Sequence, residues 1–332
     1  MDTAGIVRQC GTLPGVQVEQ RAGYAELHLS HAEGTGRMRF LPVFPGITLA
    51  LISVNASSWP APELEGSRPE ARGPLIINYC TRGRCELVLN NHKSVFLTTG
   101  HISLTEKFAR NEYVYPGRIY EGIELFIDPE VAEQGLPLLK ESFGVDIPAL
   151  RERCCSGGDT YIAKMPLPDG LLERLTGQDL PEMPGITEGQ KTAVIDLLAY
   201  LLSRPQAEPE PLVYFTRLQV EMAREIEREI NRDLSVSHTV REFAQRFSVS
   251  ESSIKKYFSG IYGQSISQYA THRRMDHAAE LLADTGLPII EVASQVGYES
   301  QSKFAAAFRK EFGVSPRDYR QGRRMHGMSR KE

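Results

Sequence analysis

One pattern is written twice near the C-terminus, about 50 residues apart, and this duplication constrains the chain more than any other feature. The first copy reads AQRFSVSESSIKKYFSGIYGQSISQY (Ala244 to Tyr269) and the second ASQVGYESQSKFAAAFRKEFGVSPRDY (Ala293 to Tyr319). Ala244 matches Ala293. After one gained residue, Phe258, Gly263, Ser265 and Tyr269 stand opposite Phe308, Gly313, Ser315 and Tyr319. A repeat that keeps its small, aromatic and turn residues in step is one supersecondary unit used twice.

Each copy reads as helix, tight turn, helix. Val240, Phe243, Ala244 and Phe247 recur at i, i+3, i+4 and i+7, the stripe of a core-facing helix. Ser248-Val249-Ser250 breaks it, and Ser250 suits the N-cap of a second helix. That helix buries Ile254, Phe258 and Ile261 and stops before Gly263, which suits a left-handed C-cap. The second copy repeats the plan with Ile289, Val292, Ala293 and Val296, a turn at Gly297, then Phe304 and Phe308 before Gly313. Short helices joined this way, with Ala where they cross, describe a helix-turn-helix whose second helix enters a major groove. One such pattern alone would equally be an ordinary αα-hairpin. Here a third helical stretch joins the two, Ile266 to Ala283, with Tyr269, Met275, Ala279 and Leu282 on one face. At ~1.5 Å per residue it is about 27 Å long, which suits two recognition helices about one DNA turn, ~34 Å, apart.

These residues resemble the DNA-binding domain of the AraC-type (AraC/XylS) bacterial transcription regulators, down to the ending VASQVGYESQSKFAAAFRKEFGVSPRDYR. The resemblance covers about Leu218 to Arg320. On the first recognition helix the exposed positions are Glu251, Ser252, Ser253, Lys255 and Lys256, with Ser250 at its cap. On the second they are Ser300, Gln301, Ser302, Lys303 and Ala306. Lys can donate to guanine, Gln can read adenine, and Ser can serve either edge. A lone lysine is as readily a phosphate contact without sequence information. The resemblance implies base contacts at Ser252 and Lys256 in the first copy and at Ser302 and Ala306 in the second. Ala306 departs from the long polar side chain common there, so the first copy is expected to carry more of the base readout. Thr239 and Arg309 are candidates for phosphate contacts.

The rest of the chain reads differently. Residues 1 to about 36 have few periodic features and are expected to form an arm or irregular edge. From Arg37 to Asp128, short runs rich in β-branched and aromatic residues read as strands: Ile47–Val54, Leu75–Cys80, Cys85–Asn90, Ser94–Leu97, His101–Leu104 and Arg118–Asp128. Turn signals at Arg82-Gly83, Asn90-Asn91 and Thr99-Gly100 separate them. Strands at this spacing suggest a small barrel or jelly roll. Trp59 to Gly73 reads as an exposed loop. After Pro129 the chain turns helical, and Glu188 to Ser203 carries an apolar stripe of Val194, Leu197, Leu198, Leu201 and Leu202. That stripe is either a dimer contact or part of its own domain's core.

The layout resembles the cupin-like effector domain that precedes the DNA-binding domain in many AraC-type proteins. The expected fold is thus α+β in two domains. Residues 1–204 form an effector-binding and dimerisation domain, β-rich over 37–128 and helical over 129–204. A linker follows at 205–211, then the all-α DNA-binding domain at 212–321 and a basic tail at 322–332. Tyr79, Glu86, Tyr120 and Glu124 are candidates to line an effector pocket. His28, His31, His92, His101 and Glu124 do not follow the cupin metal-ligand pattern, so neither metal nor other cofactor is expected.

Charge supports the division. From Leu212 onward there are 19 basic against 15 acidic residues, and before it 19 against 27. A basic half beside an acidic one fits one half that meets DNA and one that does not. The five cysteines, Cys10, Cys80, Cys85, Cys154 and Cys155, are too few and odd in number for a disulfide framework. Redox or soft-metal sensing at Cys80/Cys85 or Cys154/Cys155 is the minor alternative to bystander thiols. No apolar run approaches the ~20 residues that span a membrane, and the start lacks a signal-peptide pattern, so a cytoplasmic protein is expected. The expected function is a non-enzymatic regulator of transcription with double-stranded DNA and a small effector as partners, a homodimer, and RNA polymerase as a further candidate partner. Activation and repression are equally open. The alternatives are a DNA-binding protein whose first domain only dimerises, and an enzyme fused to a DNA-binding domain. Enzymes of the alkyl-transfer kind in this family need a multi-cysteine site that this chain lacks.

Overall fold

The computed structural model describes residue 7 and residues 12–31, 34–60, 74–89, 92–106, 112–135, 137–155, 160–177, 185–203 and 212–328. The chain divides into two compact units, Met1–Tyr214 and Phe215–Glu332. The expected linker and most of the expected loop after Trp59 lie outside the described residues, as do Cys10 and the Asn90-Asn91 turn.

The first unit is built on antiparallel strands. β1 (Val16–Arg21), β2 (Tyr24–His31), β3 (Gly34–Phe44) and β4 (Ile47–Ala56) pair in chain order. β4 then pairs β10 (Ile119–Ile127), which pairs β6 (Leu75–Val88). β6 divides its partners, β8 (His101–Thr105) along its first half and β7 (Lys93–Thr98) along its second, and β11 (Tyr161–Lys164) pairs β8. A two-stranded ribbon, β5 (Ser58–Pro60) with β9 (Glu112–Val114), lies over one face. It places the Trp59 ring so close to Gly36 that a Cβ there would stand 2.7 Å from a ring carbon.

Three expectations are corrected by this arrangement. The supposed N-terminal arm contributes β1, β2 and the start of β3; its signal is weak because β1 brings only Val16 and Val18 to its apolar face, with Val18 40% exposed. Arg82-Gly83 is a bend within one long strand rather than a hairpin turn. Gly83 has a φ of 85° and passes so near the Ile119 carbonyl that no side chain fits. Trp59 is fully buried on β5 instead of opening a surface loop. Closure into a barrel is not part of the hydrogen-bonded order among the described residues.

The two faces of the sheet carry separate apolar clusters. Leu27, Phe40, Ala50, Ile52, Trp59, Cys80, Val95 and Tyr120 form one. The other is made with the helices α1 (Pro129–Gly135), α2 (Pro137–Phe143), α3 (Ile147–Cys155), α4 (Leu171–Thr176) and α5 (Glu188–Ser203). Within it Val194, Leu197, Leu198 and Leu201 of α5 are buried in one cluster with Leu49, Ile77 and Leu125 of the sheet, and Leu202 is half-buried. The expected dimer stripe is therefore core of its own domain: side chains without exposed surface have none to offer a partner.

The second unit is helical. α6 (Arg217–Arg232) starts at a Thr216 capping box with Gln219. It buries Val220, Ala223, Ile226 and Ile230, whereas Leu218, which the four-residue spacing of Leu218, Met222, Ile226 and Ile230 would place on that face, is 65% exposed. α7 (Val240–Arg246) and α8 (Glu251–Tyr262) form the first helix-turn-helix, α9 (Ile266–Asp284) is the connector, and α10 (Ile289–Gln295) with α11 (Gln301–Phe312) form the second. α12 (Pro316–Met328) continues into the stretch expected to be a basic tail. One core is gathered from Met275, Ala278, Ala279 and Leu282 of α9 with Val292, Ala293, Val296, Phe304 and Phe308. In the first copy Phe258 meets Tyr269 of α9 edge-on at 5.5 Å; in the second Phe308 meets Tyr319 in the same way at 5.4 Å.

Candidate nucleic-acid interface

The recognition helices α8 and α11 are delimited by the same local chemistry. Ser250 Oγ accepts the Ser253 backbone N–H at 3.1 Å and Ser300 Oγ accepts that of Lys303 at 3.4 Å. Each helix ends at a left-handed glycine, Gly263 at φ 76° and Gly313 at φ 75°, where only glycine escapes a Cβ penalty. The inward faces hold Ile254, Phe258 and Ile261 in α8, and Phe304 and Phe308 in α11, all buried.

The opposite faces are turned to solvent. Glu251, Ser252, Lys255 and Lys256 are exposed and Ser253 is half-buried; Gln301, Ser302, Lys303, Ala306 and Arg309 are exposed and Ser300 is half-buried. Ser252 and Lys256 lie four residues apart, as do Ser302 and Ala306, so each pair shares one stripe of its helix. Lys255 Nζ stands 3.9 Å from Glu251 Oε2, a solvated pair of little energetic weight. Lys256 is in no ion pair among the described residues, which leaves its three N–H donors for a guanine edge or a phosphate.

Three of the expected DNA contacts have a structural duty as well. Ser250 and Ser300 are N-caps, and Thr239 caps α7 by accepting the Glu242 N–H at 3.2 Å while Glu242 Oε2 accepts the Thr239 N–H at 2.8 Å. That backbone N–H holds the Glu242 carboxyl below its ordinary range. The capping hydroxyls accept from the backbone; those of Thr239 and Ser300 keep a hydrogen to donate, while Ser250 Oγ also lies 2.8 Å from Ser252 Oγ and 2.9 Å from Ser253 Oγ.

The connector is anchored on α6 by polar contacts. The Tyr269 phenol donates to Glu227 Oε1 at 2.8 Å, Asn231 Nδ2 donates to the Tyr269 oxygen at 3.1 Å, and Arg273 Nε donates to Asn231 Oδ1 at 3.0 Å. Burial and the neighbouring Glu227 push the Tyr269 phenol well up. Next along α9, Arg274 donates to the Leu234 and Val236 carbonyls of the loop between α6 and α7. Neither arginine stands out in the sequence, because an arginine in a mostly polar helix looks like any solvated charge.

In the first unit the four pocket candidates do not converge. Tyr120 and Glu124 share a face of β10, and the partner they meet is Asn78: the Tyr120 phenol donates to Asn78 Oδ1 at 2.6 Å, and Asn78 Nδ2 donates to Glu124 Oε1 at 2.7 Å. Burial pushes the Glu124 carboxyl up to about 7. Tyr115 stacks on Tyr120 at 5.0 Å. Tyr79, next to Asn78, points to the opposite face and packs with the helices, so its candidacy is off by one residue in strand register. Glu86 is likewise on the face opposite its neighbour Cys85, accepting the Ser94 hydroxyl at 2.6 Å.

The described cysteines sit where the thiolate is disfavoured. Burial pushes Cys80 up to about 12 and Cys155 up to about 11, and raises Cys85 and Cys154 too. Thiolate, the reactive form, is scarce at such values. His101 Nδ1 lies 2.8 Å from Thr98 Oγ1 and 3.0 Å from the Thr98 carbonyl, a turn-holding role. Among the described residues no three His, Cys, Asp or Glu side chains gather to hold a metal, and no helix is long and apolar enough to cross a membrane.

Comparison with known proteins bears on the helical unit. Residues 243–322 match a family model described as a helix-turn-helix domain. The HTH-type transcriptional regulator ExsA of Pseudomonas aeruginosa is 32% identical over 82 residues, 25% of this chain and 30% of that protein. The HTH-type transcriptional activator RhaR of Yersinia pseudotuberculosis is 34% identical over 92 residues, 28% of this chain and 32% of its own length. The chain thus spans about a third of the curated relatives it matches. Among solved structures, the C-terminal domain of AraT from Geobacillus stearothermophilus is 37% identical and covers 31% of this chain and 85% of its own, with a TM-score of 0.30. The matched region coincides with the duplicated motif, its connector and its two glycine-capped recognition helices, and the C-terminal unit is an AraC-type helix-turn-helix DNA-binding domain.

Proposed function

We propose that the whole chain is a sequence-specific, non-enzymatic regulator of transcription in the cytoplasm, acting on double-stranded DNA and responding to a small effector bound by its first unit. The observation that carries the DNA-binding part is the pair of capped recognition helices, each burying its aromatic side and leaving a polar, partly basic stripe outward. The first helix supplies Ser252 and Lys256 to base edges; the second supplies Ser302, Gln301 and Lys303, with Ala306 offering only a methyl to thymine. Thr239 and Arg309 contact phosphates. In-vitro selection of binding sites with the full chain tests this. A two-part consensus is expected, and a selection that returns random sequence would refute it.

The effector part rests on the Glu124–Asn78–Tyr120 chain. A carboxyl in an apolar surrounding without an ion pair among the described residues is costly, and such groups concentrate at functional sites. Glu124 with Tyr120 would meet a ligand that offers a hydrogen-bond donor. Homodimerisation would use surfaces other than the α5 stripe, and RNA polymerase is the partner through which bound regulator acts. A thermal-shift screen of small metabolites separates effector binding from a purely dimerising unit. A ligand at 100 times its Kd adds about 2.7 kcal/mol, and Glu124→Gln should abolish that shift.

A further inference from the structure

The duplicated copies differ at one turn position, and the difference leads to a contact between them. In the first copy the left-handed turn residue is Ser248, at φ 54°; in the second it is Gly297, at φ 78°. A serine tolerates that conformation in the open. Gly297 has no such room, for a Cβ there would stand 2.7 Å from the Ser235 carbonyl oxygen and 3.0 Å from the Ser235 Cα. Ser235 belongs to the loop that leads into the first helix-turn-helix. The turn of the second copy is therefore pressed backbone to backbone against the lead-in of the first.

The same loop is gripped from the connector. Arg274 Nε donates to the Leu234 carbonyl at 2.7 Å, and its Nη2 donates to the Val236 carbonyl at 3.0 Å and to Ser237 Oγ at 3.3 Å. Asp233 Oδ1 accepts the Ser235 N–H at 2.9 Å, which shapes the loop's start, and the His238 ring lies 5.5 Å from the Phe243 ring of α7. The half-buried Tyr298 is the residue after Gly297. Tyr298 in turn meets Phe304 of α11 edge-on at 5.8 Å. The first copy's lead-in is thus held by Arg274 on one side and by the turn at Gly297 on another, and that turn is one residue from the Tyr298 ring that meets the second recognition helix.

We propose that Arg274 and Gly297 form a clamp that fixes the spacing and angle of the two recognition helices, so that Arg274 is a positioning residue for DNA readout. The two copies keep separate aromatic centres, at Phe258 with Tyr269 and at Phe308 with Tyr319, joined through opposite ends of α9. Both heads pack on one helix of 19 residues, but the stretch 233–239 that leads into the first is irregular and has conformational freedom unless it is held. The guanidinium fork on two carbonyls removes that freedom, because a planar donor set holds both acceptors in one orientation. With the heads locked, the two half-sites must lie at one separation, and the loss of entropy on binding is met once for both.

This inference rests on the DNA-binding reading above, and the test separates the two. The full chain and its Arg274→Ala and Arg274→Lys variants are measured by fluorescence anisotropy on the selected operator and on copies with one or two base pairs inserted between its half-sites. Hydrogen exchange of residues 233–239 is followed alongside, without DNA. The unaltered protein should lose at least about 30-fold in affinity on a one-pair insertion. Arg274→Ala should bind the original site about 10-fold more weakly yet lose less than about 3-fold on insertion, with faster exchange confined to 233–239. Arg274→Lys, which keeps the charge and loses the fork, should fall between. Equal insertion penalties in all three proteins, or unchanged exchange of the loop, would overturn the clamp. Failure of the unaltered protein to select any operator would instead overturn the DNA-binding reading, while the exchange measurement still judges the clamp.

Discussion

The two helix-turn-helix copies repeat the same core plan and differ at most positions that face outward, Ser252 and Ser302 excepted. Phe258 and Phe308 are fully buried, Ala244 and Ala293 sit at the helix crossings, and both recognition helices end on left-handed glycines. Yet the first copy presents Lys256 where the second presents Ala306, and the first turns on an exposed serine where the second turns on an enclosed glycine. A duplicated unit diverges where packing leaves it free, and it acquires new constraints where its twin comes to press upon it. The extra residue of the second copy, Glu299, lies between the turn and the Ser300 cap. It lengthens the approach to α11 without disturbing either core.

The largest effect tests the shared part. Phe258→Ala and Phe308→Ala should each destabilise the helical unit by about 3–5 kcal/mol, and by similar amounts, in chemical denaturation of the full chain. A large inequality would mean that one copy supports the other's fold rather than repeating it. Next comes the turn. Gly297→Ala forces a Cβ into backbone at positive φ and should cost about 2–4 kcal/mol, whereas Ser248→Ala, in open surroundings, should change stability by less than about 1 kcal/mol. Similar costs at both would erase the distinction drawn between an open and an enclosed turn.

Smaller effects sharpen the division of DNA readout. Lys256→Ala should lose about 1–3 kcal/mol of operator affinity and relax preference at one base pair, while Ala306→Gly should do almost nothing. Scrambling the half-site under α8 should hurt more than scrambling the one under α11; equal losses would place specificity on both helices. Arg309→Ala should weaken all sequences alike and reduce the slope of log affinity against log salt by about 1. A change in base preference would make Arg309 a reader instead of a phosphate anchor.

A last expectation concerns the other unit, whose polar groups are held inside rather than displayed. Glu124 has its carboxyl raised from 4.5 to about 7. Its protonated form is the one the folded state favours, so this contribution to stability is fully present below the unfolded value. It is lost as pH rises through about 7. Glu124→Gln should therefore melt higher than the unaltered protein at pH 8, with the gain vanishing by pH 4. A gain that does not depend on pH would show that the carboxyl titrates in the fold as it does in the unfolded chain.

Much of the helical unit is readable because its stripes repeat at helical spacing and its caps are local. Ser250, Ser265 and Gly263 delimit helices through hydrogen bonds within a few residues, and such contacts need no tertiary context. The face of α6 is harder to place: the spacing of Leu218, Met222, Ile226 and Ile230 would put Leu218 inward, yet Leu218 is exposed and Val220 and Ala223 are buried. Small apolar residues there carry little signal on their own. In the first unit the strands from Ile47 onward are legible by composition. β1 and β2 are less so, because β1 holds only two apolar residues and β2 buries a charged one, Glu26, beside its apolar face.

The sequence by itself determined that a helix-turn-helix occurs twice, where each recognition helix begins and ends, and which of their residues face outward. These follow from periodicity and capping within a dozen residues. Only the tertiary structure decided that the α5 stripe is core, that Asn78 rather than Tyr79 joins Tyr120 and Glu124, and that Gly297 and Arg274 close upon the loop at Ser235. Those outcomes depend on which strand face and which loop lie across from a residue distant in the chain. No local pattern encodes that neighbour, and the free energy of burying or pairing a side chain is set by the neighbour alone.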